Sequence, residues 1–196
     1  HKAAHVPEHA DVVIRTAAIP VTNTEVKRAA ARNIPVRTYA EDLGRLTREY
    51  KTLAVSGSHG KSTTTALSAL VMREGMFDPT VILGTKLKEF GNSNFWQGKG
   101  QYLLIEADEY NRSFLHYAPW IAIATNIDAE HLDTYGTVEG VEHAFSDYFA
   151  SVKAGGFIIA NHDDQRLRAI ALRFGKRVKW YSLEDPDAMH VRSVIK

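Results

Sequence analysis

One stretch constrains this chain more than any other: Ala54-Val-Ser-Gly-Ser-His-Gly-Lys-Ser-Thr-Thr-Thr-Ala66. Residues 51–56 ahead of the glycines are apolar and β-branched, as a short buried strand requires. Residues 61–74 behind them carry Leu67, Leu70 and Val71 at helical spacing, with Gly75 as the stop. A glycine loop joining a strand to a helix turns free backbone N–H groups and the positive helix end toward one point, where an anion binds. Gly57 and Gly60 let the backbone approach phosphate closely, Lys61 adds a point charge, and the Ser62 hydroxyl is placed to hold Mg2+. The expectation is a nucleoside triphosphate site built from Gly57, Ser58, His59, Gly60, Lys61, Ser62 and Thr63. The strict G-x-x-x-x-G-K-[ST] pattern asks for a further glycine where this chain has Val55.

Elements around the loop repeat an α/β rhythm. Upstream, 11–15 reads as a strand, 25–32 as a helix, 34–37 as a strand and 41–50 as a helix, the tail of one α/β unit. From Lys51 the pattern restarts, with further short apolar runs at 80–83, 102–105, 120–124 and 157–160. Their apolarity is continuous rather than alternating, which marks strands buried on both faces and predicts an α/β fold with a mostly parallel sheet flanked by helices. A boundary near residue 50 follows, dividing the chain into 1–50 and 51–196. A helix starting at Val138 behind a Thr137 cap carries Val141, Phe145, Phe149 and Val152 as its core stripe, and Gly155-Gly156 ends it.

Composition narrows the partners by exclusion. With 196 residues and 44% hydrophobic content the chain buries a substantial core. Its 24 Lys and Arg against 23 Asp and Glu leave +1 with no block of like charge, so neither a nucleic-acid footprint nor an acidic tail is present. It has no cysteine, which removes disulfides and thiolate metal sites and is compatible with a reducing cytosol. No apolar run approaches the roughly 18 residues of a membrane span, and no signal-peptide pattern opens the chain. The triplet Asn111-Arg-Ser113 fits a glycosylation acceptor by chance in a chain of this character. His1, His5 and His9 share a helical spacing, but Pro7 interrupts it, and a metal site there is not expected.

Two further segments follow apolar strands directly: Glu106-Ala-Asp-Glu109 and Thr125-Asn-Ile-Asp-Ala-Glu-His-Leu-Asp133. Both fall at C-terminal strand ends, the edge of an open α/β sheet where ligands bind. They should therefore converge on the nucleotide phosphates. Mg2+ prefers oxygen ligands, which makes Glu106 or Asp108 the easier chemical choice, and His131 reads equally as a ligand or as a loop histidine held by a neighbour.

The glycine loop, the run Glu106-Ala-Asp-Glu-Tyr-Asn-Arg-Ser-Phe-Leu115 and the run Thr125 to Tyr135 occur in register, and together they resemble the Mur ligases. That family uses a shortened G-[TS]-x-G-K-[TS] loop, which accounts for Val55. The resemblance implies a P-loop NTPase-like central domain over 51–196, with 1–50 as the tail of a Rossmann-like UDP-binding domain. The opening of that domain is expected before His1 and a C-terminal domain after Lys196, so the chain is expected to be a segment that is inactive alone. The implied chemistry is ATP-dependent amide-bond formation through an acyl phosphate, in the cytoplasm, for peptidoglycan precursors. The implied substrates are UDP-N-acetylmuramate and L-alanine, and the implied cofactors are ATP and Mg2+, or Mn2+. Lys61, Glu106 and His131 take the catalytic roles: Lys61 neutralises phosphate charge, Ser62 holds a first ion, and Glu106 bridges to a second ion with His131 as nitrogen ligand. Asn94 matches a family asparagine near the sugar substrate.

The alanine-adding branch is favoured because residues 132–152 contain no lysine, whereas members adding later amino acids carry a carbamylated one there. The nearest rival is the ligase that reattaches a recycled tripeptide, which usually carries a longer insertion after the Glu-Ala-Asp-Glu-Tyr run. A nucleotide-binding module without ligase activity and a P-loop kinase are the remaining readings; the kinase would want the missing glycine and a base for a hydroxyl acceptor. Oligomeric state is not legible.

Overall fold

Local chemistry sets the first elements of the chain, which a computed structural model describes over residues 1–189; residues 190–196, the end of the second expected unit, lie outside the described residues. Strand β1 (Val13–Arg15) pairs in parallel with β2 (Val36–Thr38), Val13 opposite Val36. Helix α1 (Thr24–Ala31) lies between them in sequence and starts where the Asn23 side chain accepts from the Glu25 amide at 2.9 Å. Helix α2 (Tyr39–Glu49) opens on a capping box in which Thr38 Oγ1 accepts from the Glu41 amide at 3.2 Å. The Glu41 carboxylate in turn takes the Thr38 amide at 2.6 Å.

The larger sheet begins with β3 (Lys51–Ser56), which leads through the glycine loop into α3 (Lys61–Glu74). Then follow β4 (Thr80–Leu87), β5 (Ser93–Trp96), β6 (Tyr102–Glu106), β7 (Ile121–Ala124), α4 (Leu132–Tyr135), α5 (Val138–Ala150), β8 (Phe157–Asn161), α6 (Gln165–Ala171) and β9 (Val178–Tyr181). The strand order is β5-β4-β6-β3-β7-β8-β9, parallel throughout except that β5 runs antiparallel along β4. The mostly parallel, helix-flanked sheet expected from continuous apolar strands is therefore present.

Successive strand residues feed opposite faces, and both faces are dry. Ala54, Leu103, Ile105, Ala122 and Ala124 pack with α5 and α6, while Val55, Leu104, Val81 and Ile123 pack on the face that takes Ala69 of α3. The α5 stripe is as read, with Val141, Phe145, Phe149 and Val152 all buried and the Thr137 side chain accepting from the Gly140 amide at 3.2 Å. Helix α3 differs from its pattern. Leu67 and Val71 stand exposed, and the helix instead turns the small residues Thr65 and Ala69 to the sheet. Small side chains allow close approach there, and the loop, not the apolar stripe, sets the rotation of the helix.

Strands β5 and β9 and helices α4 and α6 were not anticipated. β5 reads Ser-Asn-Phe-Trp, a short edge strand, and β9 reads Val-Lys-Trp-Tyr, so neither carries a continuous apolar run. Helix α6 has only seven residues and is announced by Asp164, whose carboxylate accepts from the Leu167 amide at 2.8 Å.

Helix α2, which precedes residue 50, shares its core with the larger sheet. Leu43 packs with Phe114 and Tyr117, and a Cβ on Gly44 would lie 2.5 Å from the His116 carbonyl oxygen, so the helix sits directly on that backbone. A separate small core of Val6, Ala29 and Ile34 serves β1, β2 and α1. Among the described residues no helix is long and apolar enough to cross a membrane.

Candidate active site at the C-terminal sheet edge

Register brings the three sequence segments together. β3 lies between β6 and β7, with Val55 opposite Glu106 and Ser56 opposite Ala124, so the glycine loop, residues 106–109 and residues 125–131 leave the same edge side by side.

The loop is held from the β7 side. Gly57 has φ +130°, and a Cβ there would lie 2.1 Å from Thr125 Oγ1, so only glycine fits. Gly60, at φ +81°, caps α3 in the left-handed region. Asn126 accepts the His59 amide on its side-chain oxygen at 2.8 Å and returns its Nδ2 to the His59 carbonyl at 3.0 Å. The Ser58 amide goes to the Asn126 carbonyl at 3.1 Å, and the Ser58 hydroxyl accepts from the Asp128 amide at 2.8 Å. Thr125 and Asn126 therefore shape the glycine loop. The sequence contained them inside a quoted motif, but spacing alone assigned them no task.

Lys61, the first residue of α3, turns its ammonium back over the loop. It donates to the Gly57 carbonyl at 2.7 Å and to both Glu109 carboxylate oxygens at 3.0 Å. The Glu109 side chain is only 2% exposed. Burial pushes its carboxyl above the ordinary range and nearby Asp108 adds to this, while hydrogen bonds from its own amide and from Lys61 pull the other way. The Tyr135 hydroxyl donates to the Glu109 carbonyl, and burial pushes that phenol upward, so it stays a neutral donor. Glu109 was quoted in the sequence motif without a role; its burial beside Lys61 is a tertiary fact.

Ser62 and Glu106 meet directly. The Ser62 hydroxyl donates to Glu106 Oε2 at 3.0 Å and the Gly84 amide donates to Oε1 at 2.8 Å. These are hard oxygen donors, side by side at the start of the helix, and they fit Mg2+. His131 lies beside Glu109. Its residue has φ +55°, its Nε2 is 3.8 Å from Glu109 Oε1, and its ring stands 5.1 Å from that of Tyr110. Asp108, Glu109 and His131 present ligand atoms all within 4.8 Å of one another. The expected ligand residues thus fall into two neighbouring groups, Ser62 with Glu106 and His131 with Glu109.

Thr63 is exposed on the first turn of α3, and the exposed His59 ring lies 3.8 Å from both Asp128 and Glu130. Asn94 lies on β5, its Nδ2 donating to the Leu83 carbonyl of β4 at 3.3 Å. A cavity of about 350 Å³ borders Glu106 and Asp108 and is walled by Thr38, Tyr39 and Leu43 from one side and by Leu83, Gly84 and His116 from the other.

Comparison with known proteins bears on the family. A family description, Mur ligase middle domain, matches residues 55–196. The chain is 42% identical over 179 residues to a UDP-N-acetylmuramate–L-alanine ligase of Pelotomaculum thermopropionicum, covering 91% of this chain and 39% of that protein. It is also 42% identical over 194 residues to the ligase of the same name from Koribacter versatilis, covering 99% and 41%. The chain thus spans about two fifths of the length of these relatives. A solved UDP-N-acetylmuramate-alanine ligase from Thermotoga maritima superimposes with a TM-score of 0.77 at 25% identity, over 94% of this chain and 41% of that one. A solved UDP-N-acetylmuramate:L-alanyl-γ-D-glutamyl-meso-diaminopimelate ligase from Neisseria meningitidis gives 0.81 at 22% identity, over 96% and 63%, a likeness of fold. With the family match over residues 55–196 and these relatives at 42% identity, the chain belongs to the Mur ligase family.

Proposed function

We propose that this chain carries the ATP-binding centre of a ligase that joins L-alanine to UDP-N-acetylmuramate. The observation that carries the reading is the convergence of Lys61, Ser62 and Glu106 on one sheet edge, with a cavity bordering Glu106. The identity to alanine ligases from two organisms supports the choice of substrates.

In this reading the loop amides and the α3 dipole receive the β- and γ-phosphates, and Lys61 exchanges part of its contact with Glu109 for phosphate oxygen. Ser62 and Glu106 hold Mg2+, which supplies charge neutralisation for the transferring phosphoryl group. The muramoyl carboxylate in the cavity attacks the γ-phosphorus while the bond to ADP breaks. The alanine amine then attacks the acyl carbon, the bond to phosphate breaks, and the amine proton passes to solvent or phosphate. Glu109, Asp108 and His131 hold the negative and imidazole groups that border this path, with His131 offered as the nitrogen ligand of a second ion.

Titration calorimetry with a non-hydrolysable ATP analogue and Mg2+ tests the nucleotide part on this chain. Binding should occur and should vanish in Lys61→Ala. Because that change also leaves Glu109 buried without its partner, the double variant with Glu109→Gln should fold normally and still fail to bind. A chain that binds no nucleotide, or a Lys61 variant that binds as before, overturns the reading. Phosphate release by the encoded protein should require UDP-N-acetylmuramate and L-alanine together; release driven instead by L-alanyl-γ-D-glutamyl-meso-diaminopimelate would move it to the tripeptide reaction.

A further inference from the structure

We propose that Gly84 is a positioning residue: the absence of its side chain and the aim of its amide together set the Glu106 carboxylate against Ser62. The proposal rests on the reading of Ser62 and Glu106 as oxygen ligands of the nucleotide-bound ion.

β4 runs parallel to β6 with Ile82 opposite Ile105, so Gly84, which follows in β4, comes beside Glu106, the last residue of β6. At that point the two Glu106 oxygens are held by different donors, Oε1 by the Gly84 amide at 2.8 Å and Oε2 by the Ser62 hydroxyl at 3.0 Å. A Cβ built on Gly84 would stand 2.9 Å from Oε2 and 3.4 Å from the carboxylate carbon, closer to Oε2 than real Cβ atoms come.

Two other reasons for a glycine fail here. Gly84 is not among the positive-φ glycines, so backbone conformation does not demand it. It is also exposed, so no core neighbour excludes a side chain. What a methyl group meets is the tip of a flexible glutamate. The backbone therefore stays and the carboxylate moves, and the displacement falls on the one side chain whose place matters for the ion. The Asn94 side chain on the adjacent Leu83 carbonyl, at 3.3 Å, ties β5 to the part of β4 from which the Gly84 amide points.

The test uses Mn2+ as the probe, its free concentration read by electron paramagnetic resonance, with this chain and a non-hydrolysable ATP analogue. Gly84→Ala should weaken Mn2+ binding about tenfold or more, the range for losing a group that orients a ligand. Metal-free affinity for the analogue should stay within about twofold, and the melting temperature should hold or rise, since alanine restricts the unfolded chain. In a Glu106→Gln background the same alanine should have no further effect on Mn2+, because the group it displaces is already disabled. Unchanged Mn2+ affinity in Gly84→Ala overturns the proposal, as do additive losses in the double variant. Should Gly84→Ala melt early, a crystal structure decides: Glu106 moved off Ser62 supports the proposal and Glu106 in place overturns it. Wild-type Mn2+ affinity in Glu106→Gln alone also overturns it, and locates the failure in the ligand reading of Glu106; loss in Glu106→Gln with none in Gly84→Ala leaves that reading intact and sinks only the role of Gly84.

Discussion

Lys153 fastens α2 to the larger sheet, and replacing it with methionine measures how firmly. Its ammonium donates to three carbonyls at the end of α2, Thr47 at 2.9 Å, Arg48 at 3.0 Å and Tyr50 at 3.0 Å. Its own amide goes to the Pro119 carbonyl at 2.9 Å, so the residue is fixed at both ends. The last turn of a helix leaves its carbonyls without intrahelical partners, and a cation there also suits the helix dipole. A hydrogen bond to a charged donor contributes roughly 1.5–3 kcal/mol. Three do not sum, because burial and the nearby Arg48 work against the ammonium and pull its pKa below the ordinary lysine value. The carbonyls also recover water when it leaves. The expected net loss for Lys153→Met, which keeps the apolar stem, is therefore about 2 kcal/mol. For a chain of this size that lowers the melting temperature by roughly 4–8 °C in calorimetry. A melting temperature within about 1 °C of wild type would refute the reasoning and show that apolar packing around Leu43 holds α2 unaided.

Two shorter predictions address the site and the capping box. Glu109→Gln removes the carboxylate that holds Lys61, so on the proposed reading metal-free affinity for an ATP analogue should rise by about tenfold, close to 1.4 kcal/mol; an unchanged dissociation constant means that Glu109 does not compete. Hydrogen bonds from the Thr38 amide and hydroxyl hold the Glu41 carboxyl below its ordinary value of 4.5. A carboxyl depressed in the folded state contributes stability above its unfolded pKa and loses it as pH falls through the folded one, so wild type should lose more stability than Glu41→Gln on acidification below about 4.5, and parallel acid titrations would refute the box.

The glycine loop between β3 and α3, the parallel sheet and the helix of Val141, Phe145 and Phe149 were legible because each is written in local order: glycines between a strand and a helix, continuous apolar runs, a repeat of 3.6 residues. Three segments at three strand ends also placed the candidate site on one edge before any coordinates, since parallel strands bring their C-termini to the same side. Edge strand β5, strand β9 and the small helices were not legible, because short or half-exposed elements take their conformation from the neighbour they pair with. The same limit applied within the site. That Lys61 shares its charge with a buried Glu109, that Asn126 braces the loop and that a glycine gives Glu106 its room are consequences of strand order. Sequence determined which chemical groups reach the sheet edge. Only the tertiary structure decided which of them touch, because contacts of a few ångströms between residues some 20 to 70 positions apart are set by strand register and packing, and no local pattern encodes them.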